Sequence, residues 1–182
     1  MLAKDRVATL TAAALFFIFS WFFFFRGQIL LAVITSIAFT AYCVLSMDPK
    51  KDGIRYADWV LTTPLLLIAL FYPRKTPMDL LPVVAADVLM IATGWLAHTA
   101  RTKTERNILF GISCYFYLLT FALVFSMRPP LGAAVFLFLV FLIYPIVWMI
   151  HETGRMRDAV YTGAVAGLDV FSKIGLGLIL AV

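Results

Sequence analysis

The chain has 182 residues, of which 63% are hydrophobic and 14% are charged, and its mean hydropathy is +0.98. Ordinary soluble domains carry about 25% charged residues, so the composition excludes a soluble globular protein and indicates an integral membrane protein. The net charge of +5 resides mainly in the polar connections, where it suits anionic lipid head groups rather than nucleic acid.

Apolar segments follow one another along the chain, and each approaches the roughly 20 residues that a helix needs to cross the hydrocarbon core. The connections between them are short and place proline, glycine and charge where helices must end. The predicted membrane helices cover residues 8–25, 28–46, 54–72, 78–98, 107–126, 132–151 and 159–181. We predict an all-α, multi-pass protein of the cell membrane, a seven-helix bundle with very short loops that forms a single domain over residues 1–182.

The first segment follows Lys4 and Arg6, as the apolar part of a signal peptide would. No small-residue cleavage site follows its phenylalanine-rich end before Arg26, so we expect a retained helix. Cys43 and Cys114 fall inside predicted helices without metal-ligand spacing, so we expect packing residues and no metal site.

Three ionisable residues interrupt the apolar segments: Asp58 in the third, and Asp169 and Lys173 in the seventh. Asp169 and Lys173 share a helix face because they are four residues apart. An ionisable side chain inside a membrane costs several kcal/mol, so it marks a functional site by default. A lysine in such a place forms Schiff bases with carbonyl compounds, and the carboxylates can serve as its counterions. The alternative is an ion-pair network that only ties the third and seventh helices together.

Arg55 lies one helical turn before Asp58, and Thr62 one turn after it. The spacing i, i+3, i+7 puts the three side chains on one face of the third helix. Arg55 can therefore hold the carboxylates in their ionised form.

Two stretches resemble the signatures of a known family: RYADWVLTTPLLL in the third segment and LDVFSKIGLGLIL in the seventh. Both are similar to the corresponding helices of the microbial (type 1) rhodopsins, of the bacteriorhodopsin and proteorhodopsin kind. IYPIVWMI, AADVLMIATG and IAFTAY are similar to the sixth, fourth and second helices of that family, and Ser113 is a weaker match on the fifth. The resemblance implies a light-driven proton pump, not an enzyme, with all-trans retinal bound covalently to Lys173 as a Schiff base.

The resemblance also implies roles for the polar residues of the third and seventh helices. Asp58 and Asp169 would form the counterion, and Asp58 would accept the proton. Arg55 would gate the acceptor, and Thr62 would hydrogen-bond to it.

A further set of residues would surround the retinal. Asp87 would pair with Thr63 between helices. For Trp59 and Trp148 the alternative is ordinary packing or contact with lipid. The residues that the resemblance places around the retinal are Trp59, Thr63, Leu66, Met90, Gly94, Phe141, Tyr144 and Trp148.

Several positions depart from the family pattern or vary within it. Phe141 stands where tryptophan is common, and Leu66 resembles the green-absorbing type at a colour-tuning position. Ala69 replaces the carboxylate that reprotonates the Schiff base in pumps, some 16 Å along the helix from the acceptor. We therefore expect no internal donor, and a slow photocycle unless that half of the protein is hydrated. Tyr161 occupies one position of the outer proton-release pair, and Glu152 lies near the other.

The distribution of basic residues bears on orientation. The family places its N-terminus outside, which predicts outward proton transport. The positive-inside rule favours the inverted topology and inward transport, because the family orientation would leave most of the basic residues outside. The family orientation puts Lys4, Arg6, Lys50, Lys51, Arg101, Lys103, Arg106, Arg155 and Arg157 outside, and Arg26, Arg74, Lys75 and Arg128 inside.

Two other functions compete with a proton pump. A sensory photoreceptor would signal through a separate transducer protein, and Ala69 suits the long-lived intermediate that a sensor needs. A chloride or sodium pump is a weaker alternative, because Asp58 with Thr62 argues against it. The partners expected in every case are the lipid bilayer and, for a pump, protons; a homo-oligomer is compatible with the resemblance.

Overall fold

The computed structural model describes residues 2–48, 52–76 and 78–181. Lys50 and Lys51, which entered the charge comparison, lie outside the described residues. The described ranges form seven helices and no strand, and all seven helices are long and apolar enough to cross a membrane. The predicted all-α fold class is thus confirmed. The helices are α1 (Leu2–Phe25), α2 (Ile29–Met47), α3 (Asp52–Phe71), α4 (Leu81–Thr99), α5 (Lys103–Ser126), α6 (Leu131–Glu152) and α7 (Asp158–Ala181).

The start of α5 differs from the prediction because a capping box extends the helix beyond the apolar run. The Thr102 hydroxyl accepts a hydrogen bond from the Glu105 amide at 3.2 Å, and the Glu105 carboxylate accepts one from the Thr102 amide at 3.3 Å. These bonds satisfy amide groups that the first turn leaves without helical partners. The helix therefore begins at Lys103 rather than at residue 107.

The start of α4 differs in the opposite direction. The amide and the hydroxyl of Thr76 both donate to Asp79 Oδ2 at 2.9 Å, which fixes a turn ahead of the helix. These hydrogen bonds to the carboxylate hold the pKa of Asp79 below its ordinary value, the bond from the Thr76 backbone contributing most. The helix begins at Leu81 rather than at residue 78.

Glycine and proline mark special points in the backbone. Gly27 and Gly154 follow α1 and α6 with φ of 71° and 72°, a left-handed conformation that strains any residue with a Cβ. Pro64 lies inside α3 and Pro145 inside α6, where each removes one helical hydrogen bond.

The helices group into two compact units. The first comprises Met1–Ile54 and Val135–Val182, and it contains α1, α2, α7 and most of α6. In it, α1 packs against both α2 and α7. The core of this unit consists of Ala12, Ala13, Phe16, Ala38, Tyr42, Leu45, Ala166 and Ile174.

Two glycines of α7 allow close contact with phenylalanine rings of the first unit. The ring of Phe23 on α1 is fully buried and lies against Gly177, where an added Cβ would overlap it. At Gly175 an added Cβ would lie 2.9 Å from Cζ of Phe136 on α6. Gly177 is therefore required by packing rather than by backbone conformation, and a side chain at Gly175 would displace the Phe136 ring.

The second unit comprises Arg55–Ala134 and contains most of α3 together with α4 and α5. The Ser113 hydroxyl on α5 donates to the carbonyl of Met90 on α4 at 2.8 Å. An added Cβ at Gly94 would lie 3.3 Å from Ser113 Oγ, so α4 and α5 approach closely there. That the two units together form a single domain stays a prediction.

Candidate functional site

Lys173 and Asp169 are buried on the same face of α7. Each has a relative exposure of 1%. An ionised amine or carboxylate loses most of its hydration in such a place, so the surrounding protein must supply compensating polar contacts. For Asp169 these contacts come from two other helices.

Asp169 accepts hydrogen bonds from two tyrosine hydroxyls. Tyr42 Oη on α2 lies 2.5 Å from Asp169 Oδ2, and Tyr144 Oη on α6 lies 2.7 Å from Asp169 Oδ1. Tyr144 Oη also lies 3.3 Å from the hydroxyl of Ser172. Two donors, one on each carboxylate oxygen, stabilise the ionised form and fix the plane of the carboxylate. Both oxygens of the buried Asp169 carboxyl group are therefore hydrogen-bonded within the protein.

Lys173 lies against an aromatic ring of α1. Its Nζ atom lies over the face of Phe16, 5.6 Å from the ring centroid. The Phe16 ring is itself tilted against the ring of Tyr42, with centroids 5.4 Å apart. The first unit thus brings together an amine, an acid, two tyrosines and a phenylalanine from its four helices.

The polar face that the sequence predicts on α3 is buried. Arg55 and Asp58 have relative exposures of 2% and 3%, and Thr62 is fully buried. The Thr62 hydroxyl donates to the main-chain carbonyl of Asp58 at 2.8 Å, rather than to its carboxylate. This hydroxyl bonds back to the preceding turn of its own helix, and the expected hydrogen bond from Thr62 to the acceptor carboxylate stays a prediction.

The expected hydrogen bond between Thr63 and Asp87 is present. Thr63 Oγ1 lies 2.6 Å from Asp87 Oδ2, and both side chains are buried. This contact links α3 to α4 within the second unit. The same hydroxyl lies 2.8 Å from the carbonyl of Trp59, one turn earlier.

The remaining residues of the predicted retinal pocket differ in burial. Leu66, Met90 and Phe141 are buried, and the ring of Phe141 makes an edge contact with Tyr144 at 6.3 Å. Trp59 lies edge-on to Tyr56, with ring centroids 5.1 Å apart. The half-buried members of the set are Trp59, Gly94, Tyr144 and Trp148. Both tryptophans are half-buried, whereas a side chain surrounded by lipid would be exposed.

The sequence did not assign a role to Tyr42, Ser172 or Phe16. Tyr42 ends the IAFTAY stretch of α2, and its position there was a signal that could have identified it. Ser172 precedes Lys173 directly and reaches Tyr144. For Phe16 there was no signal, because it is one of many phenylalanines in α1.

A separate polar group lies where α6 meets α7. His151 Nε2 and Asp158 Oδ1 are 3.1 Å apart, and the His151 ring stacks on Tyr161 with centroids 4.2 Å apart. Tyr161 is buried at the position where the family resemblance expects a proton-release carboxylate. The spacing of residues in the sequence did not indicate that His151 lies beside this position.

The chain is similar in sequence to a known family of proteins. A sequence model of the family described as bacteriorhodopsin-like protein matches residues 6–182. The chain is 32% identical over 176 residues to the bacteriorhodopsin of Halobacterium salinarum, with 81% of this chain and 67% of that protein covered. It is 31% identical over 173 residues to sensory rhodopsin-1 of Halobacterium sp. strain SG1, with 82% and 70% covered.

Solved structures match over nearly the whole chain. The thermophilic rhodopsin from Rubrobacter xylanophilus has a TM-score of 0.85 and 29% identity, and the match covers 97% of this chain and 94% of that one. The light-driven proton pump from Coccomyxa subellipsoidea has a TM-score of 0.86 at 23% identity, with 98% and 96% covered, a likeness that shows the fold alone.

The chain therefore belongs to the bacteriorhodopsin-like family, the microbial rhodopsins, and is a multi-pass protein of the cell membrane. That family of retinal proteins includes proton pumps and sensory receptors.

Proposed function

We propose that this protein is a light-driven proton pump that carries all-trans retinal on Lys173. The observation that carries the proposal is the buried amine of Lys173, one helical turn from a buried Asp169 whose two oxygens are hydrogen-bonded by Tyr42 and Tyr144. An amine in this environment suits a group that ends in an aldehyde, because the resulting imine can be protonated and balanced by the neighbouring acid.

Buried apolar and aromatic residues suit the rest of the chromophore. Among the residues that the family resemblance assigns to it, Leu66, Met90 and Phe141 are buried. When bound, retinal supplies visible absorption and a light-induced change of shape at the Lys173 nitrogen. The ionisable groups of the protein then accept and release the protons.

Asp58 is the proposed proton acceptor. It is a buried carboxyl group on α3, with Arg55 one turn before it on the same helix face. A nearby cation stabilises the ionised carboxylate, and loss of positive charge near the carboxylate makes it a better proton acceptor. Asp58 therefore takes up a proton when the charge at Lys173 is lost, and Arg55 influences its release.

The identity of residue 69, an alanine, determines the proposed source of the proton for reprotonation. This buried residue of α3 cannot donate a proton, so the proposed pump takes its proton from bulk water through the side opposite Asp58. In the family orientation the net transport is outward, while the inverted topology favoured by the loop charges makes it inward.

A sensory photoreceptor is the second candidate. Two observations favour it: residue 69 is an alanine, which offers no internal proton donor and therefore favours a long-lived deprotonated state, and a sensory rhodopsin is among the relatives of this chain. Such a receptor would act through a separate transducer protein. Both candidates share the chromophore on Lys173 and differ in whether protons cross the membrane.

One experiment separates these candidates. Cells expressing the protein with retinal are illuminated in weakly buffered medium, and the external pH is recorded with and without a protonophore. Acidification supports an outward pump and alkalinisation an inward pump. A coloured protein without a pH change would contradict pumping and favour the sensor.

Two variants test the residue roles. Lys173→Ala should leave the purified protein without a stable visible band. Asp58→Asn should retain colour and lose the transient deprotonation seen by flash spectroscopy, whereas the exposed control Asp79→Asn should behave as the unaltered protein. An unchanged photocycle in Asp58→Asn would exclude Asp58 as the acceptor.

A further inference from the structure

Phe16 on α1 is a buried aromatic residue in contact with the Lys173 amine. Its relative exposure is 0%, and Lys173 Nζ lies over the ring face at 5.6 Å from the centroid. The face of an aromatic ring carries negative charge density and attracts a cation within about 6 Å, most strongly where water is excluded. The geometry at Phe16 satisfies both conditions.

The same ring supports the acid that balances the amine. Phe16 packs against Tyr42 at a centroid distance of 5.4 Å and an interplanar angle of 49°. Tyr42 in turn donates its hydroxyl proton to Asp169 Oδ2. One side chain of α1 therefore contacts the cation directly and the tyrosine that positions the anion.

The other polar groups of this cluster in the first unit are Asp169, one helical turn before Lys173, and the two tyrosines that donate to it, Tyr42 on α2 and Tyr144 on α6. The proposed acceptor Asp58 and its neighbour Arg55 are the charged groups of α3, in the second unit. Phe16 differs from all of them because it carries no charge and cannot exchange a proton.

We propose that Phe16 is a positioning residue for the Lys173 nitrogen: its ring face stabilises the cationic form of that nitrogen and keeps Tyr42 against Asp169. The inference rests on the proposed function, because it assigns to Phe16 the task of keeping the chromophore linkage protonated. Phe16 is an apolar residue that does not stand out from the other phenylalanines of α1 in the sequence.

The test is a titration of the visible absorption band with base. The substitution Phe16→Leu keeps an apolar side chain and removes the ring face. The midpoint at which the protonated chromophore is lost should fall by about 0.5–1.5 pH units, the range expected for a cation–π contact. Should Phe16→Leu fail to fold, a trifluorinated phenylalanine at this position preserves the shape, weakens the negative face and should shift the midpoint in the same direction.

Phe23→Leu is the matched control. Phe23 is a fully buried phenylalanine of the same helix, but its ring packs on Gly177. Its substitution should leave the midpoint unchanged although it loosens the same pair of helices. Equal shifts in the two variants, or no shift in Phe16→Leu, would overturn the inference.

A second measurement does not depend on the chromophore. In retinal-free protein labelled with ¹⁵N-lysine, the resonance of Lys173 Nζ should move in Phe16→Leu, because the ring face over it is lost, and should stay in place in Phe23→Leu. If the unaltered protein forms no coloured complex with retinal, the proposed function fails. If it is coloured and Phe16→Leu matches it in both measurements, the proposed function stands and the role of Phe16 is wrong.

Discussion

Tyr42 and Asp169 are separated by 127 positions in the sequence, yet the tyrosine hydroxyl lies 2.5 Å from a carboxylate oxygen. This contact ties α2 to α7 at the residue that precedes Lys173 by one turn. It makes the charge state of Asp169 depend on a side chain of another helix.

We expect Tyr42→Phe to destabilise the first unit. The substitution keeps the ring and removes the hydroxyl that donates to the buried Asp169 carboxylate, and a hydrogen bond to a charged group contributes about 1.5–3 kcal/mol. Thermal loss of the visible band in purified protein measures the change in stability.

Tyr115→Phe provides the control for this measurement, since Tyr115 is an exposed tyrosine of α5. Its thermal midpoint should equal that of the unaltered protein. A thermal midpoint in Tyr42→Phe that also stays in place would mean that this hydrogen bond does not stabilise the first unit.

Ala69→Asp should accelerate the return of the proton. A carboxyl group at this buried position of α3 would act as an internal donor, and a positioned acid contributes on the order of 10²-fold or more to a proton transfer. In the unaltered protein the recovery should slow about tenfold for each unit of rising pH, because the proton comes from bulk water. Flash photolysis at several pH values measures both effects.

Ala69→Asn is the matched control, because it adds similar volume without an acidic proton. A recovery that is already fast and independent of pH in the unaltered protein would reveal another internal donor.

The hydrogen bond between Thr63 and Asp87 should stabilise the second unit. Thr63→Val keeps the shape of the side chain and leaves a buried carboxyl oxygen without its donor, which costs about 1–3 kcal/mol. Asp87→Asn keeps an oxygen acceptor for Thr63 and should cost less. Thermal loss of the visible band, followed for both single variants and the double variant, gives the coupling energy. Full additivity of the two effects would contradict the contact.

The sequence predicts the helices closely because a backbone in hydrocarbon must satisfy its own hydrogen bonds, so each long apolar run becomes a helix. The prediction is wrong at the ends of two helices. The start of α5 is determined by Thr102 and Glu105, whose capping pattern is visible in the sequence. The start of α4 is determined by hydrogen bonds from Thr76 to Asp79. Apolarity alone contains neither signal.

The polar residues of the candidate site were predictable because charge is rare inside a membrane. Lys173, Asp169 and Asp58 stand out for that reason, and the structure buries all three. Phe16 was not predictable, since its contact with Lys173 depends on how α1 rotates against α7. The acceptor for the Thr62 hydroxyl depends on a side-chain rotamer, which spacing cannot specify.

Gly177→Ala should destabilise the first unit. The added methyl group would meet the buried ring of Phe23, and overpacking of this kind costs about 1–3 kcal/mol. Gly167→Ala on the same helix meets no neighbour and lies on an exposed face, so it should leave stability unchanged or raise it by up to about 1 kcal/mol. Thermal unfolding of the two variants in parallel tests the contrast. Equal losses would indicate that helix flexibility, not contact with Phe23, explains the glycine.

The two helix prolines directly follow residues that bond to another helix. Pro64 comes after Thr63, which bonds to Asp87, and Pro145 comes after Tyr144, which bonds to Asp169. Each proline removes a rung of backbone hydrogen bonding, so bending is least costly there. A displacement of either side chain therefore acts on the helix one residue away from the point where it bends most easily. A small shift of Thr63 or Tyr144 can in this way tilt half of its helix.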